Sequence, residues 1–336
     1  MRIANFDLEE KILIVAEIGN NHEGDPEVAM KLVQRAAECG ADAVKFQTFQ
    51  TKYFVSRSDE ARYLRLKSFE LSHQDFERLA SLAKSLGLIF MSTPLDLESA
   101  GFLDQIVDCY KIASGDNNFY ALIRRICETG KPVIMSSGLS DLGQIIKSQR
   151  FIEEQWKQLG IEQELAVLHC VTSYPVPPDQ ANLAAIPLLA DRLGCTVGYS
   201  DHTSGTGACT VAVALGARII EKHFTLDKQY SDFRDHQVSA DPEEMKELVA
   251  RIALVRQMLG QGNKALQSCE EAIAQVARRS IVAAADLPPG HKLAEHDLTW
   301  IRPAIGLPPG SEAQVVGRTT KRALAFGEPI LLNDLE

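Results

Sequence analysis

Ile12-Leu13-Ile14-Val15-Ala16 is a short apolar run, and it is the first of eight such runs along the chain. The eight runs cover residues 12–16, 43–46, 88–91, 106–112, 132–135, 165–170, 196–199 and 218–222. Between them lie segments with apolar residues at three- and four-residue spacing, which is typical of amphipathic helices; examples are residues 26–39, 72–86 and 241–259. Eight strand–helix units of about 30 residues predict an α/β fold, the (β/α)8 or TIM barrel.

The chain also has room for a second domain, because 336 residues with 45% hydrophobic composition can form more than one core. The strand–helix rhythm stops after Leu259. We therefore predict a barrel domain over residues 1–262, a linker over 263–278 and a small β-rich domain over 279–336. In this tail, Pro-Gly turns separate predicted strands at residues 280–283, 299–301, 314–316 and 330–332.

Charge and composition exclude several classes of protein. A formal net charge of −10 without a basic stripe argues against nucleic-acid binding. No apolar segment reaches about 18 uncharged residues, and the first ten residues do not resemble a signal peptide, so we predict no membrane association. The seven cysteines include no Cys-x-x-Cys pair and several lie in apolar runs, which indicates reduced thiols and a cytoplasmic protein.

Polar residues follow the predicted strands at the end where barrel enzymes assemble their active sites. Two of them, Lys45 and Lys111, would face one interior, with Ser114 after the fourth strand and Ser200 after the seventh. A pair of cations in a water-poor cavity suits a phosphate or a carboxylate, since its charge is only weakly screened there. Alternatively, the lysines pair with acids such as Glu17 and only fill the end of the barrel.

Two histidines and two carboxylates are further candidates. His202 and His223 end neighbouring strands, so their rings can converge on one divalent ion and leave positions open for water and substrate. Imidazoles without a thiolate suit Mn²⁺, Co²⁺ or Zn²⁺; each histidine could instead be structural. Glu17 ends an apolar strand and Asp235 follows the last strand, so both are candidates for proton transfer. The alternatives are a salt bridge for Glu17 and a solvated charged loop for Asp235.

Several long motifs in register resemble the sialic acid synthase family, whose members make nine-carbon nonulosonic acids from phosphoenolpyruvate and an N-acylated aminosugar. The resemblance covers almost the whole chain. Its motifs are Ala16-Glu17-Ile18-Gly19-Asn20-Asn21-His22-Glu23-Gly24, Val44-Lys45-Phe46-Gln47-Thr48, Tyr110-Lys111-Ile112-Ala113-Ser114-Gly115, Val197-Gly198-Tyr199-Ser200-Asp201-His202-Thr203 and Glu221-Lys222-His223-Phe224-Thr225. The tail, with Arg302-Pro303 and Gly306-Leu307, looks like the antifreeze-like (SAF, β-clip) domain of these synthases.

The resemblance implies a role for each candidate. Glu17, Lys111 and Asp235 would be catalytic. The residues implied to bind phosphoenolpyruvate are Lys45, Lys111, Ser114, Ser200 and Thr172, and Thr172 stands where many members have Asn. Tyr174, Gln47 and Arg302 would bind the sugar. His202 and His223 would bind a divalent metal, Mn²⁺ first, with Mg²⁺ or Co²⁺ as alternatives. The family also implies a homodimer that swaps its SAF domains, which would bring Arg302 to the partner's barrel.

The acceptor and the class of function have alternatives. The loop 228–236 faces the sugar in the family and departs from its pattern, since it lacks the usual Gly-Pro before Asp235. Its Asp-His ending resembles sialate and legionaminate synthases more than pseudaminate synthases, so N-acetylmannosamine and 2,4-diacetamido-2,4,6-trideoxymannose are both candidate acceptors. A synthase of seven- or eight-carbon sugar acids is a rival that the SAF-like tail disfavours. A non-catalytic carbohydrate-binding or coat-assembly protein on the same scaffold is a second rival, against which the complete set of strand-end residues argues.

Overall fold

The computed structural model describes all 336 residues, which form two compact units, Met1–Gly260 and Gln261–Glu336. The first unit begins with a short antiparallel hairpin, β1 (Arg2–Ile3) and β2 (Phe6–Asp7). None of the helices in the structure combines the length and the apolarity that a membrane crossing requires.

Eight parallel strands close into a barrel in the first unit, in the order β10-β3-β4-β5-β6-β7-β8-β9. They are β3 (Leu13–Gly19), β4 (Ala43–Thr48), β5 (Ile89–Pro94), β6 (Cys109–Ile112), β7 (Val133–Ser136), β8 (Leu165–Cys170), β9 (Thr196–Asp201) and β10 (Ile219–His223). The predicted (β/α)8 barrel is thus confirmed. Several strands extend past the apolar runs, so polar residues such as Glu17 and Asp201 belong to strands and not to loops.

Helices surround the barrel and occupy the connections between its strands. They are α1 (Pro26–Glu38), α2 (Thr51–Phe54), α3 (Glu60–Phe69), α4 (His73–Ser85), α5 (Leu97–Leu103), α6 (Tyr120–Cys127), α7 (Leu142–Leu159), α8 (Ala185–Leu193), α9 (Gly207–Ala214), α10 (Arg234–Val238) and α11 (Pro242–Leu259). Side chains that accept backbone N–H groups fix where several helices begin: Asp25 caps α1, and Ser72 and Asp241 form capping boxes at α4 and α11.

The alternation of side chains along each strand determines what faces the barrel interior. In β3, Leu13 and Val15 join the apolar cluster inside the barrel, whereas Ile14 and Ala16 pack outward against the helices. Because successive strand residues point to opposite faces, Glu17 continues the inward series of β3. The same rule directs Lys45 inward after Ala43. The inward series thus changes from apolar to charged at the carboxyl ends of the strands.

The second unit is built around a two-stranded antiparallel sheet, β11 (Ser280–Ala283) and β12 (Leu298–Ile301), over a small core that includes Ile281, Val315 and Leu324. Two predicted strands are wrong: residues 314–316 lie in a 3₁₀ helix and the turn after it, and residues 330–332 run from an isolated bridge at Pro329 into a 3₁₀ helix. The neighbouring turns leave too little chain for a ladder. The predicted linker, residues 263–278, contains a helix, α12 (Glu271–Ala277).

Candidate functional site

A cavity of about 1110 Å³ opens at the carboxyl ends of the barrel strands. Residues of the first unit line it, and they include every candidate that the sequence placed in the barrel: Glu17, Lys45, Gln47, Lys111, Ser114, Thr172, Tyr174, Ser200, His202, His223 and Asp235. Residues from all eight barrel strands and from the loops that follow them are therefore brought to one place. Arg302 is in the second unit, where its side chain is exposed.

Glu221 lies between the two lysines at the inner end of this cavity. Its Oε1 is 3.3 Å from the Nζ of Lys111, and its Oε2 is 3.7 Å from the Nζ of Lys45. Glu17 adds a second carboxylate, 2.7 Å from Lys45 Nζ. We did not predict a role for Glu221. The signal was available, because Glu221 precedes the inward-facing His223 by two residues on β10.

Burial and nearby charges shift the pKa values of three of these side chains, Glu221, Lys45 and Glu17. Burial alone would raise the pKa of Glu221, but Lys111 and Lys45 outweigh it and lower that pKa to about 2. Burial alone would lower the pKa of Lys45. The carboxylates of Glu17 and Glu221 outweigh this effect, so the pKa of this lysine is raised. For Glu17, burial dominates over the nearby lysines and the pKa is raised. Glu17 is therefore the acid of this group best suited to hold and release a proton.

Hydroxyl groups complete the lining around the lysines. Lys111 Nζ donates to Ser136 Oγ at 2.7 Å, and Lys45 Nζ donates to Thr93 Oγ1 at 3.2 Å. Ser200 Oγ donates to Glu221 at 2.8 Å. The hydroxyl of Thr172 is buried without a hydrogen-bond partner, so it is available to a bound molecule. Together the hydroxyls and ammonium groups form an inner surface that can bind an oxyanion of phosphate or carboxylate type.

The two histidine rings lie side by side, with centroids 5.4 Å apart. His202 Nδ1 is 2.9 Å from the carbonyl oxygen of Val171; donation there leaves Nε2 with a free lone pair. His223 Nδ1 is buried without a partner, and burial lowers the pKa of this ring to about 4, so it is neutral at pH 7. No third metal-ligating side chain joins them. The pair fits an ion that keeps positions open for water and substrate.

Tyr174, Arg234 and Asp235 form the wall beside these histidines. The Tyr174 ring lies 4.2 Å from the His202 ring, and the Arg234 guanidinium lies 4.2 Å above Tyr174. Asp235 is only 6% exposed, and its Oδ1 is 3.2 Å from Nη2 of Arg234. The reading of Asp235 as part of a solvated loop is therefore wrong. His236 helps to hold this segment, since its Nε2 lies 3.0 Å from Glu23 Oε1.

Asp116 also lines the cavity, and burial raises the pKa of its carboxyl to about 6. The folded state then binds this proton more tightly than the unfolded state, whose pKa is about 3.9, so stability falls as the pH rises from about 4 to 6. We expect Asp116→Asn to be about 1–3 kcal/mol more stable than the parent at pH 8 and to match it near pH 3. Urea unfolding at both pH values measures this. Equal gains at both pH values would contradict it.

Comparisons with known proteins agree with this architecture. A model of the NeuB family matches residues 32–264, and a SAF domain model matches residues 278–336. The chain is 42% identical to the uncharacterized protein MJ1065 of Methanocaldococcus jannaschii, with 97% of this chain and 95% of that protein covered. It is 38% identical to the N,N'-diacetyllegionaminic acid synthase of Legionella pneumophila, covering 96% of this chain and 94% of the relative.

A solved structure supports the same assignment. The N-acetylneuraminic acid (sialic acid) synthetase of Leptospira borgpetersenii, crystallised in complex with citrate, superposes with a TM-score of 0.76 at 30% identity. The match covers 81% of this chain and 94% of that one. Family model, sequence identity over nearly the full length and structural similarity agree, and the chain belongs to the NeuB family.

Proposed function

We propose that this protein is a nonulosonic acid synthase, which condenses phosphoenolpyruvate with an N-acylated mannosamine-type sugar to give a nine-carbon 2-keto acid and inorganic phosphate. The observation that carries the proposal is one cavity with a lysine pair at its inner end and a pair of histidines beside it. The lysines can take an anionic substrate, and the histidines can take an ion that activates a carbonyl. The family assignment and the names of the relatives support the same reaction class.

In the reaction we propose, Lys45 and Lys111 bind the anionic groups of phosphoenolpyruvate, with hydroxyls of Ser114, Ser200 and Thr172 as further contacts. C3 of phosphoenolpyruvate attacks the aldehyde carbon of the open-chain sugar and forms the new C–C bond. Water adds to C2, and the C2–O bond to phosphate breaks, which releases phosphate and leaves the ketone. Glu17, whose pKa is raised, and Asp235 hold and move protons at the aldehyde oxygen and the attacking water.

His202 and His223 would hold the divalent metal, for which we propose Mn²⁺, with Mg²⁺ or Co²⁺ as alternatives. Bound there, it would polarise the aldehyde carbonyl as a Lewis acid. Support comes from the orphaned Nδ1 of His223 and the low pKa of this ring, because a metal ligand must be neutral and carry a free lone pair. Tyr174 and Gln47, which line the same cavity, are proposed sugar contacts.

We also propose a homodimer in which Arg302 of the SAF domain reaches the sugar in the partner's barrel. An exposed arginine without an ion-pair partner is consistent with this. The seven cysteines are all free and mostly buried, which suits a cytosolic protein.

The rivals are less well supported. A seven- or eight-carbon sugar acid synthase is disfavoured by the SAF domain. A non-catalytic binding protein would not need a raised Glu17 pKa beside paired lysines and histidines.

The test measures phosphate released from phosphoenolpyruvate by the full chain with N-acetylmannosamine, 2,4-diacetamido-2,4,6-trideoxymannose or arabinose 5-phosphate. We expect release with an N-acylated sugar, loss of release with chelator and recovery with Mn²⁺. His202→Ala should keep its fold, lose Mn²⁺ binding in calorimetry and not recover. Release with arabinose 5-phosphate alone would contradict the proposed product, and turnover that neither the chelator nor His202→Ala affects would refute the metal.

A further inference from the structure

One face of helix α3 covers part of the cavity and carries two arginines where apolar residues would be expected. Leu66 and Phe69 of this helix pack into a small apolar cluster with Phe49 and Leu95 of the barrel unit. Residues three, four and seven positions apart share a face of a helix, so Arg62 and Arg65 lie on the same side as Leu66 and Phe69. Arg62 and Arg65 accordingly both line the cavity.

These two arginines are the only cations in the cavity lining without a carboxylate at ion-pair distance. Lys45, Lys111 and Arg234 each have an acidic partner there. Asp59, the acid that lines the cavity beside this helix, uses its side chain to cap α3 by accepting the backbone N–H of Arg62. On the opposite side of the same helix, Lys67 is paired with Glu70 at 2.5 Å. No carboxylate therefore neutralises Arg62 or Arg65 in the cavity, and both guanidinium groups are free to bind an anionic ligand.

The ligand differs from the one that the barrel lysines bind. Lys45 and Lys111 belong to strands β4 and β6 and are buried in the barrel, whereas Arg62 and Arg65 belong to a helix outside the barrel sheet and are exposed on the cavity side. One small molecule of the size of phosphoenolpyruvate needs only one such set of cations. The second set is thus available to the other substrate, the sugar acceptor.

We infer that Arg62 and Arg65 bind a phosphomonoester on the acceptor, so that the acceptor is an N-acylmannosamine 6-phosphate. This rests on the proposed synthase function. The planar guanidinium donates two parallel N–H groups, which matches a phosphate better than it matches a hydroxyl. The hydroxyl on C6 is farthest from the reacting aldehyde carbon, so a phosphate there leaves the carbonyl free. The product is then a nine-carbon keto acid phosphorylated on its terminal hydroxyl.

The experiment compares N-acetylmannosamine with its 6-phosphate as acceptors for the full-length protein, with 2,4-diacetamido-2,4,6-trideoxymannose, which has no C6 hydroxyl, as a third arm. Keto acid formation is followed by mass spectrometry at saturating phosphoenolpyruvate. The parent should prefer the phosphorylated sugar by at least about tenfold in kcat/KM. The variant Arg62→Gln/Arg65→Gln should lose about a hundredfold in kcat/KM with that sugar and change less than about threefold with N-acetylmannosamine.

Two further variants separate charge from fold. Lys67→Gln removes a cation from the outer side of the same helix and should leave every parameter unchanged. Arg62→Lys/Arg65→Lys keeps the charge without the planar fork and should give an intermediate loss.

The opposite results are equally clear. Preference for an unphosphorylated acceptor would overturn this inference and leave the synthase function standing. A raised KM for phosphoenolpyruvate in the Gln variant would also overturn it, because the arginines would then serve the other substrate. No product with any acceptor would refute the proposed function and this inference together.

Discussion

Lys111→Met is expected to lower kcat/KM for phosphoenolpyruvate by about a thousandfold, because an opposite-charge pair about 4 Å apart contributes roughly 4 kcal/mol at an effective dielectric near 20. Lys111 is buried, 2% exposed, and its Nζ donates to Ser136 Oγ at 2.7 Å. Methionine keeps the length of the side chain and removes the charge. Steady-state kinetics with phosphoenolpyruvate as the varied substrate measures the effect, which should fall mainly on this substrate.

Two controls distinguish anion binding from damage to the site. Lys84→Met removes a half-exposed lysine of α4 that is remote from the cavity lining, and it should leave the kinetics unchanged. In Lys111→Met the buried carboxylate of Glu221 loses one of its two lysine partners. The double variant Lys111→Met/Glu221→Gln also removes the charge of this carboxylate. It should remain as inactive as the single variant. Recovery in the double variant, or a nearly normal KM for phosphoenolpyruvate in the single one, would contradict the assigned role.

Lys222→Met is expected to destabilise the barrel by about 3–5 kcal/mol, since removing one partner of a buried ion pair leaves an uncompensated charge. Lys222 Nζ is 2.9 Å from Asp201 Oδ2, and both side chains are fully buried. The lysine also donates to the carbonyl oxygen of Thr203 at 2.6 Å. The pair thus connects β9 to β10 next to His202 and His223. Urea unfolding followed by circular dichroism measures the loss.

The matched control is Lys67→Met, which breaks the exposed pair with Glu70 and should cost less than about 1 kcal/mol. The double variant Asp201→Asn/Lys222→Met removes the stranded charge and should be more stable than Lys222→Met alone. If Lys222→Met cost no more than the surface control, the pair would not stabilise the barrel ends.

The alternation of side chains shows why some site residues were predictable and another was overlooked. Glu17, Lys45 and Lys111 are charged residues within or next to apolar runs, a pattern that marks inward positions near a strand end. Glu221 is also a charged residue next to an apolar run, but a second charged residue, Lys222, follows it directly. In the structure Lys222 points away from the barrel interior and pairs with Asp201. A run of neighbouring charges does not reveal which of them faces inward until the register is known.

The SAF domain illustrates a different limit. Its strand at Ser280–Ala283 was predicted as a short strand-like run followed by a Pro-Gly turn, and the structure has it. Residues 314–316 and 330–332 have similar composition, yet they lie in 3₁₀ helices and turns or beside them and form no ladder. In so small a unit, tight turns and packing against Ile281 and Leu324 decide the backbone, and local preference is overridden.

The order of amino acids alone was enough for the barrel, its direction and the strand-end candidates, because eight short apolar runs alternating with amphipathic helices admit few other folds. The closed barrel was needed for the rest. It brought Glu221 between Lys45 and Lys111, buried Asp235, and placed Arg62 and Arg65 of α3 in the cavity lining. The physical reason is that charge pairing and burial depend on distances between residues far apart in the chain, and only tertiary packing sets those distances.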